Sequence, residues 1–394
     1  MFDTLTPPEP DKIIRLMAMF AADTRTDKVD LGVGVYRNAD GRTPVMAAVK
    51  QAEARILAAQ ETKSYTGLAG DPGFHAAMCD LILGDVVDPA RIAAIATPGG
   101  TGAVRQVLEL TRRISPDATI WISTPTWPNH PSIIDYLGLK SRAYRYYDAA
   151  TGGLDRDGML ADLAQAKQGD LILLHGCCHN PTGVDLTMQD WAEITAICQR
   201  TGAIPFVDVA YLGFANSLED DAAGTRMLAA ALPEMLIAAS CSKNFGLYRE
   251  RVGIVLALTS GGAAQAAAQG TLAYLNRQNY AFPPDHGARV VEVILRDTIL
   301  RALWRDELRD MRNGMNTMRA GFATALRDHA GSDRFGFIAG HRGMFSLIGG
   351  TPEQVTTLRE DHGIYMVGDG RMNIAGLTPD KVDRVARAVV QVLT

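Results

Sequence analysis

Between residues 92 and 258 the chain places short, unbroken apolar runs between amphipathic stretches, and this alternation restricts the fold more than any other feature. The runs are ATIWIST (118–124), DLILLHG (170–176), AIPFVDVA (203–210), EMLIAAS (234–240) and RVGIVLAL (251–258). A strand with one wet face alternates apolar and polar residues. These runs are continuous and rich in branched residues, as strands covered on both faces must be. They predict an α/β fold with a largely parallel sheet between helices.

Downstream, Trp304, Leu308, Met311, Met315, Met318 and Phe322 repeat with the spacing of one helix face. The pattern stops after about three heptads, so it predicts a long helix docked on the core and able to link two domains, not a coiled coil. GMFSLIG (343–349) and RMNIAGL (371–377), each followed by an amphipathic segment, suggest a smaller α+β unit. SGGAAQAAAQG (260–270) reads as a loop entering a helix.

The chain has 394 residues, 47% of them apolar and 21% charged, with a formal net charge of −5. That balance gives no footing for nucleic acid or an acidic membrane surface and suits a small-molecule enzyme. Cys79, Cys177, Cys178, Cys198 and Cys241 form an odd set with one adjacent pair, a poor disulfide framework, so a reducing compartment is expected. MFDTLTPPEPDK lacks the basic start and apolar run of a signal peptide. Without an apolar stretch long enough to span a bilayer, a cytoplasmic protein is the expectation.

Three segments carry groups able to do chemistry. In SCSKNFGLYRER (240–251) Lys243 follows a buried strand, where active sites of open α/β sheets lie. It is either a solvated loop lysine or a desolvated, nucleophilic amine. Asp208 interrupts the apolar run AIPFVDVAYLGF (203–214), with Tyr211 three residues on. A buried carboxylate needs a cationic partner, structural or catalytic. TPGGTGAVRQVLEL (97–110) reads as strand, glycine turn and helix, with Thr101 at a helix N-terminus suited to an anion, although it has neither the P-loop lysine nor the dinucleotide fingerprint.

Taken in order with LGVGVY (31–36), TWPNH (126–130), HNPTG (179–183) and GRMNIAG (370–376), these pieces resemble the aspartate and aromatic-amino-acid aminotransferases, fold-type-I enzymes that use pyridoxal 5′-phosphate (PLP). The resemblance spans nearly the whole chain. It implies a large domain with a mostly parallel, seven-stranded-type sheet over residues 43–308. A small domain would be made from 13–42 and 309–394, with an arm over 1–12 reaching a partner subunit. Lys243 would be the Schiff-base lysine and proton shuttle, Asp208 would face the pyridinium nitrogen, and His130 would support Asp208. Tyr211 and Asn180 would bond the phenolic oxygen, and Trp127 would stack on the ring. Gly100, Thr101, Ser240 and Arg251 would hold the phosphate together with Tyr65 from the other subunit of a homodimer. Arg371 would grip the substrate α-carboxylate beside Gly34 and Asn180, and Arg277, also from the other subunit, would meet a side-chain carboxylate.

One stretch departs from the commonest aspartate-enzyme pattern, which reads close to NYSNPP. Here Ala281 and Phe282 stand where that pattern has Ser-Asn, so the polar support it gives Arg277 does not carry over. LNRQ…FPP is more similar to the bacterial aromatic-amino-acid branch. The expected activity is therefore transfer of the amino group of Tyr, Phe or Trp, and of aspartate or glutamate, to a 2-oxo acid such as 2-oxoglutarate. A strict aspartate aminotransferase is the alternative, decided by kcat/KM for phenylalanine against aspartate. A non-catalytic regulator would need an added DNA-binding region, for which the short segment before LGVGVY has no basic helix.

HGCCHNPTG (175–183) invites a zinc or redox reading. A strand up to His175 turns successive side chains to opposite faces, so these neighbours cannot all converge on one ion, and Pro181 prevents a helix that could align the histidines. The expectation is packed thiols, no metal, and a turn at Asn180–Pro181 in which a cis bond is possible.

Overall fold

The computed structural model describes residues 2–7, 11–38 and 40–394. Of the arm expected over residues 1–12, residues 1 and 8–10 lie outside the described residues. The apolar runs become strands of one seven-stranded sheet: β1 Ile92–Pro98, β2 Thr119–Thr124, β3 Lys140–Arg145, β4 Leu171–His175, β5 Ile204–Val209, β6 Met235–Ser240 and β7 Val252–Leu258. Their order is β1-β7-β6-β5-β4-β2-β3, parallel from β6 through β3, with β7 antiparallel to both β6 and β1. Every residue of β4, β6 and β7 is buried, the condition that continuous apolar runs anticipate. β3, KSRAYR, was not anticipated. As an edge strand it buries only Tyr144 and needs no apolar run.

Because β7 alone runs backward, the loop joining β6 to β7 opens at the carboxyl ends of the parallel strands. Lys243 lies in that loop. The same edge carries the turns after β1, β2, β4 and β5, where an open α/β sheet collects its ligands.

SGGAAQAAAQG is mostly helix, since α1 spans Gly262–Asn279. Its alanines outweigh the glycines, because alanine costs the least to place in a helix. The long helix expected from the Trp304–Phe322 spacing, α2, runs over Thr298–Ala330, capped by the Asp297 carboxylate and closed by Gly331 in the left-handed conformation. Trp304, Leu308, Met311, Met315 and Phe322 are buried and Met318 is half-buried. Trp304 to Met315 pack in the core that contains one side of the sheet, whereas Phe322 and Leu326 belong to a separate core with Val29, Leu31, Met372 and Val389. There, Phe345–Leu347 pairs antiparallel with Arg371–Asn373, and Val29–Asp30 pairs parallel with Ile364–Tyr365. All five cysteines are free. Among the described residues no helix is long and apolar enough to cross a membrane.

Candidate active site

The turns at the carboxyl edge close around a cavity of about 260 Å³, lined by Gly100, Thr101, Trp127, Asn180, Asp208, Tyr211, Ser240, Lys243 and Arg251, with Gly34 and Arg371 also contributing. His130 is fully buried behind Asp208. Ile13, Ser242, Tyr248 and Phe345 also line the cavity and were not singled out from the sequence, and His175 and Cys177, weighed there only as metal or redox groups, line it too. Ser242 and Tyr248 sit inside the SCSKNFGLYRER segment, between Ser240, Lys243 and Arg251.

Asp208 is the penultimate residue of β5, so its carboxylate projects from the sheet edge while its backbone stays paired. His130 Nε2 lies 3.0 Å from Asp208 Oδ2, and His130 Nδ1 lies 2.8 Å from Thr126 Oγ1, which is 3.3 Å from His175 Nε2. Burial keeps His175 neutral, down at about 3, and the Thr126 hydroxyl lies within hydrogen-bond reach of both His175 Nε2 and His130 Nδ1. Burial would raise the Asp208 carboxyl, but the His130 hydrogen bond and the charges around it, Lys243 included, hold it below the usual carboxylate range. Asp208 is thus a buried carboxylate held in its ionised form.

The Lys243 amine lies 4.7 Å from the centre of the Tyr211 ring. Burial lowers it to about 8, against the pull of Asp208 and with the help of Arg251. Burial pushes the Tyr211 phenol up. The loop bearing Lys243 is anchored from α2. Trp304 Nε1 donates to the Asn244 carbonyl at 2.7 Å, and its ring stacks on Phe245 with centroids 4.5 Å apart and planes within 5°. The helical spacing marks Trp304 as core but conceals this contact.

At the other end of the cavity, β1 turns through Gly99, at φ +72°, into the helix Gly99–Ile114. A Cβ on Gly99 would stand 2.4 Å from Arg251 Nη2, and one on Gly100 would stand 2.9 Å from the Ser240 Cβ. The glycines therefore let a helix N-terminus, the Ser240 hydroxyl and a guanidinium meet in one place. Free N–H groups, the positive end of the helix and Arg251 together suit a phosphate dianion.

Arg371 is buried in the strand Arg371–Asn373, where it donates to Asn180 Oδ1 at 3.2 Å and to the Gly32 carbonyl at 3.1 Å. Its guanidinium lies 4.5 Å from the Phe345 ring centre, and its Nε has no hydrogen-bond partner among the described residues. A buried guanidinium bonded only to neutral groups is short of an anion, which an incoming carboxylate would supply.

The model of aminotransferase classes I and II matches residues 26–389. The chain belongs to the class I and II aminotransferases. It is 56% identical to the aromatic-amino-acid aminotransferase of Paracoccus denitrificans over 100% of both chains, and 42% identical to the aspartate aminotransferase of Escherichia coli K12, again over 100% of both. Among solved structures, an aromatic amino acid aminotransferase with 3-indolebutyric acid superposes with a TM-score of 0.97 at 56% identity, covering both chains in full. The aromatic-amino-acid aminotransferase of Burkholderia pseudomallei, covalently bound to pyridoxal phosphate, gives 0.96 at 40% identity, also over 100% of each chain.

Two expected residues of this aminotransferase lie outside the cavity of their own chain. Tyr65 is 83% exposed and stacks on Phe282, with centroids 4.7 Å apart, while the Arg277 guanidinium lies 5.8 Å from the same Phe282 ring. The polar pair of the commoner pattern is thus replaced by an aromatic shelf between these two side chains.

HGCCHNPTG leaves the strand at His175, and Cys178 at φ +53° breaks the alternation expected beyond it, so the adjacent thiols turn to the same side. His175 and His179 turn toward Thr126 and Ser123, and their ring centroids lie 4.1 Å apart. The two thiols instead gather with Asp221 within 4.8 Å. Backbone N–H groups of Gly213, Ala215, Asn216 and Ser217 already occupy both Asp221 oxygens, and burial pushes the Cys178 thiol up to about 12. The Asn180–Pro181 bond is cis.

Proposed function

We propose that this aminotransferase uses PLP to move the amino group of Tyr, Phe, Trp, aspartate or glutamate to a 2-oxo acid such as 2-oxoglutarate, in two alternating half-reactions. One observation carries the assignment: Lys243, Asp208 and Arg371 converge on one cavity that ends in an anion cradle. The residues present fit the cofactor. Gly100, Thr101, Ser240 and Arg251 would hold its phosphate, Trp127 would cover the ring, and Asn180 and Tyr211 would reach its phenolic oxygen. Asp208, kept ionised by His130, would hold the proton on the ring nitrogen. When bound, PLP supplies an electron sink for the charge left on a substrate α-carbon.

The residues of the chain do the rest. Arg371, with Gly34 and Asn180, receives the α-carboxylate and fixes which bond at the α-carbon is presented. Lys243, with an amine poised near neutrality, takes the α-proton and returns it on the other side of the transfer. Tyr65 and Arg277, pointing out of their own chain, act in the cavity of a second copy, so the working unit is a homodimer. Arg277 pairs with a distal carboxylate and swings to solvent when an aromatic side chain enters, which avoids burying an unpaired charge. Residues 43–308 form the PLP domain; 13–42 and 309–394 form the small domain, supported by its separate core; 1–12 form the arm. The compartment is the cytoplasm.

The test is a half-reaction. Purified protein mixed with phenylalanine, aspartate or glutamate should exchange the absorbance of the aldehyde form of the cofactor for that of the amine form with each. No cofactor spectrum after reconstitution would overturn the assignment, and response to aspartate and glutamate alone would reduce it to the strict aspartate activity. An active monomer in equilibrium sedimentation would refute the shared sites.

A further inference from the structure

We infer that Arg319, on α2, is a positioning residue for Arg371, acting through the strand that carries Phe345. The inference rests on Arg371 receiving the substrate α-carboxylate. Arg319 is 1% exposed, although it is a cation on a helix whose buried neighbours Met315 and Phe322 are apolar. Burying a charge is unfavourable by several kcal/mol unless its donors are used. Among the described residues no carboxylate accepts a hydrogen bond from it. Nη2 instead donates to the main-chain carbonyls of Gly343 and, at 3.4 Å, Phe345, and Nη1 reaches Asn316 Oδ1 at 3.5 Å.

Those two carbonyls flank the residue pair that leads into the strand Phe345–Leu347, and this strand touches Arg371 by two routes. It pairs antiparallel with the strand of Arg371, Leu347 opposite Arg371 itself, and the Phe345 ring forms the floor 4.5 Å from the guanidinium. It also meets the turn that presents Asn180. Arg342 N donates to the Gly183 carbonyl at 2.7 Å, and a Cβ on Gly343 would stand 2.3 Å from the Cys178 Cβ. Asn180 Oδ1 is one of the acceptors of Arg371. One buried fork therefore fixes the backbone between the floor of the carboxylate site and one of its walls. An apolar residue at 319 would fill the space between Met315 and Phe322 but would leave those carbonyls without their donor.

The test uses PLP-loaded Arg319→Met and Arg319→Lys, with 3-phenylpropionate as a carboxylate inhibitor and phenylalanine as substrate. Misplacing a binding group by about 1 Å costs up to about a hundredfold, so Arg319→Met should raise the Ki of 3-phenylpropionate and the KM of phenylalanine by about ten- to a hundredfold. The kcat for phenylalanine should fall as well, because Arg371 fixes which bond at the α-carbon is presented, whereas the Ki of the unreactive inhibitor reads the binding loss alone. Arg319→Lys keeps the charge and one donor and should recover part of the affinity. It carries the test alone if the Met variant does not fold. Unchanged Ki in the Lys and Met variants, or a fall in kcat without a rise in KM, overturns the inference. Arg371→Leu is the control: if it too leaves Ki unchanged, the role given to Arg371 has failed, not the coupling to Arg319.

Discussion

Gly99→Ala tests the anion cradle at its tightest point. The residue sits at φ +72°, which for an alanine costs about 1–2 kcal/mol of fold stability. The new methyl would also stand 2.4 Å from Arg251 Nη2 and 2.7 Å from its Cζ. Ordinary contact lies near 3.5 Å, so the guanidinium must retreat by about 1 Å. That retreat breaks the fork on the phosphate. Each hydrogen bond to a charged group contributes about 1.5–3 kcal/mol, so losing one should weaken PLP binding about ten- to a hundredfold. Titrating apoenzyme with PLP by tryptophan fluorescence gives the affinity, and urea unfolding of the same apoenzyme separates the backbone cost. In an Arg251→Ala background the substitution should cost little further affinity, since the group it displaces is gone. A PLP affinity within about twofold of the parent, or equal losses in both backgrounds, would refute the assignment of this turn to the phosphate.

Three other outcomes follow from the geometry. Lys243 titrates near 8, below an ordinary lysine, and only its unprotonated amine attacks an aldehyde; PLP capture by apoenzyme should therefore speed up through pH 8 and level off above it. A midpoint near 10 in stopped-flow absorbance would show that burial does not tune the amine. Arg277→Ala should cut kcat/KM for aspartate by about a hundredfold or more, the loss of one charged pair, and that for phenylalanine little; equal losses would end its selective role. Trp304→Phe keeps the ring stack on Phe245 but removes the donor to the Asn244 carbonyl, costing about 1–3 kcal/mol in chemical denaturation and slowing the half-reaction. Unchanged stability would mean that the carbonyl finds another donor.

The sheet was legible where strands are buried on both faces, because nothing polar can interrupt them there. β3 was not, because an edge strand with a single buried residue has no such constraint. Lys243 and Asp208 stood out because apolar runs locate them, Asp208 within its strand and Lys243 three residues past the end of another, whereas Asn180 was reached only through the resemblance carried by HNPTG. Phe345 and Arg319 were not, since their part in the site depends on which segments meet in space. A signal for Arg319 was present nonetheless: it falls four residues after Met315 and three before Phe322, on the apolar stripe of the helix, where a charge must have a purpose. Tyr65 and Arg277 show the opposite limit, since one chain presents them to solvent and the role proposed for them needs a second copy.

The helix Thr298–Ala330 holds the Lys243 loop through Trp304 and the Phe345 strand through Arg319. It therefore works as a gauge block. The two anchors are separated by 15 residues, or about 22 Å of helix, and both must face the same side. Deleting a single residue between them would shorten the gauge by about 1.5 Å and turn one anchor about 100° away from the other. Chain length is consequently locked between Trp304 and Arg319, while the turn that begins at Gly331, past the end of the gauge, is free of that lock.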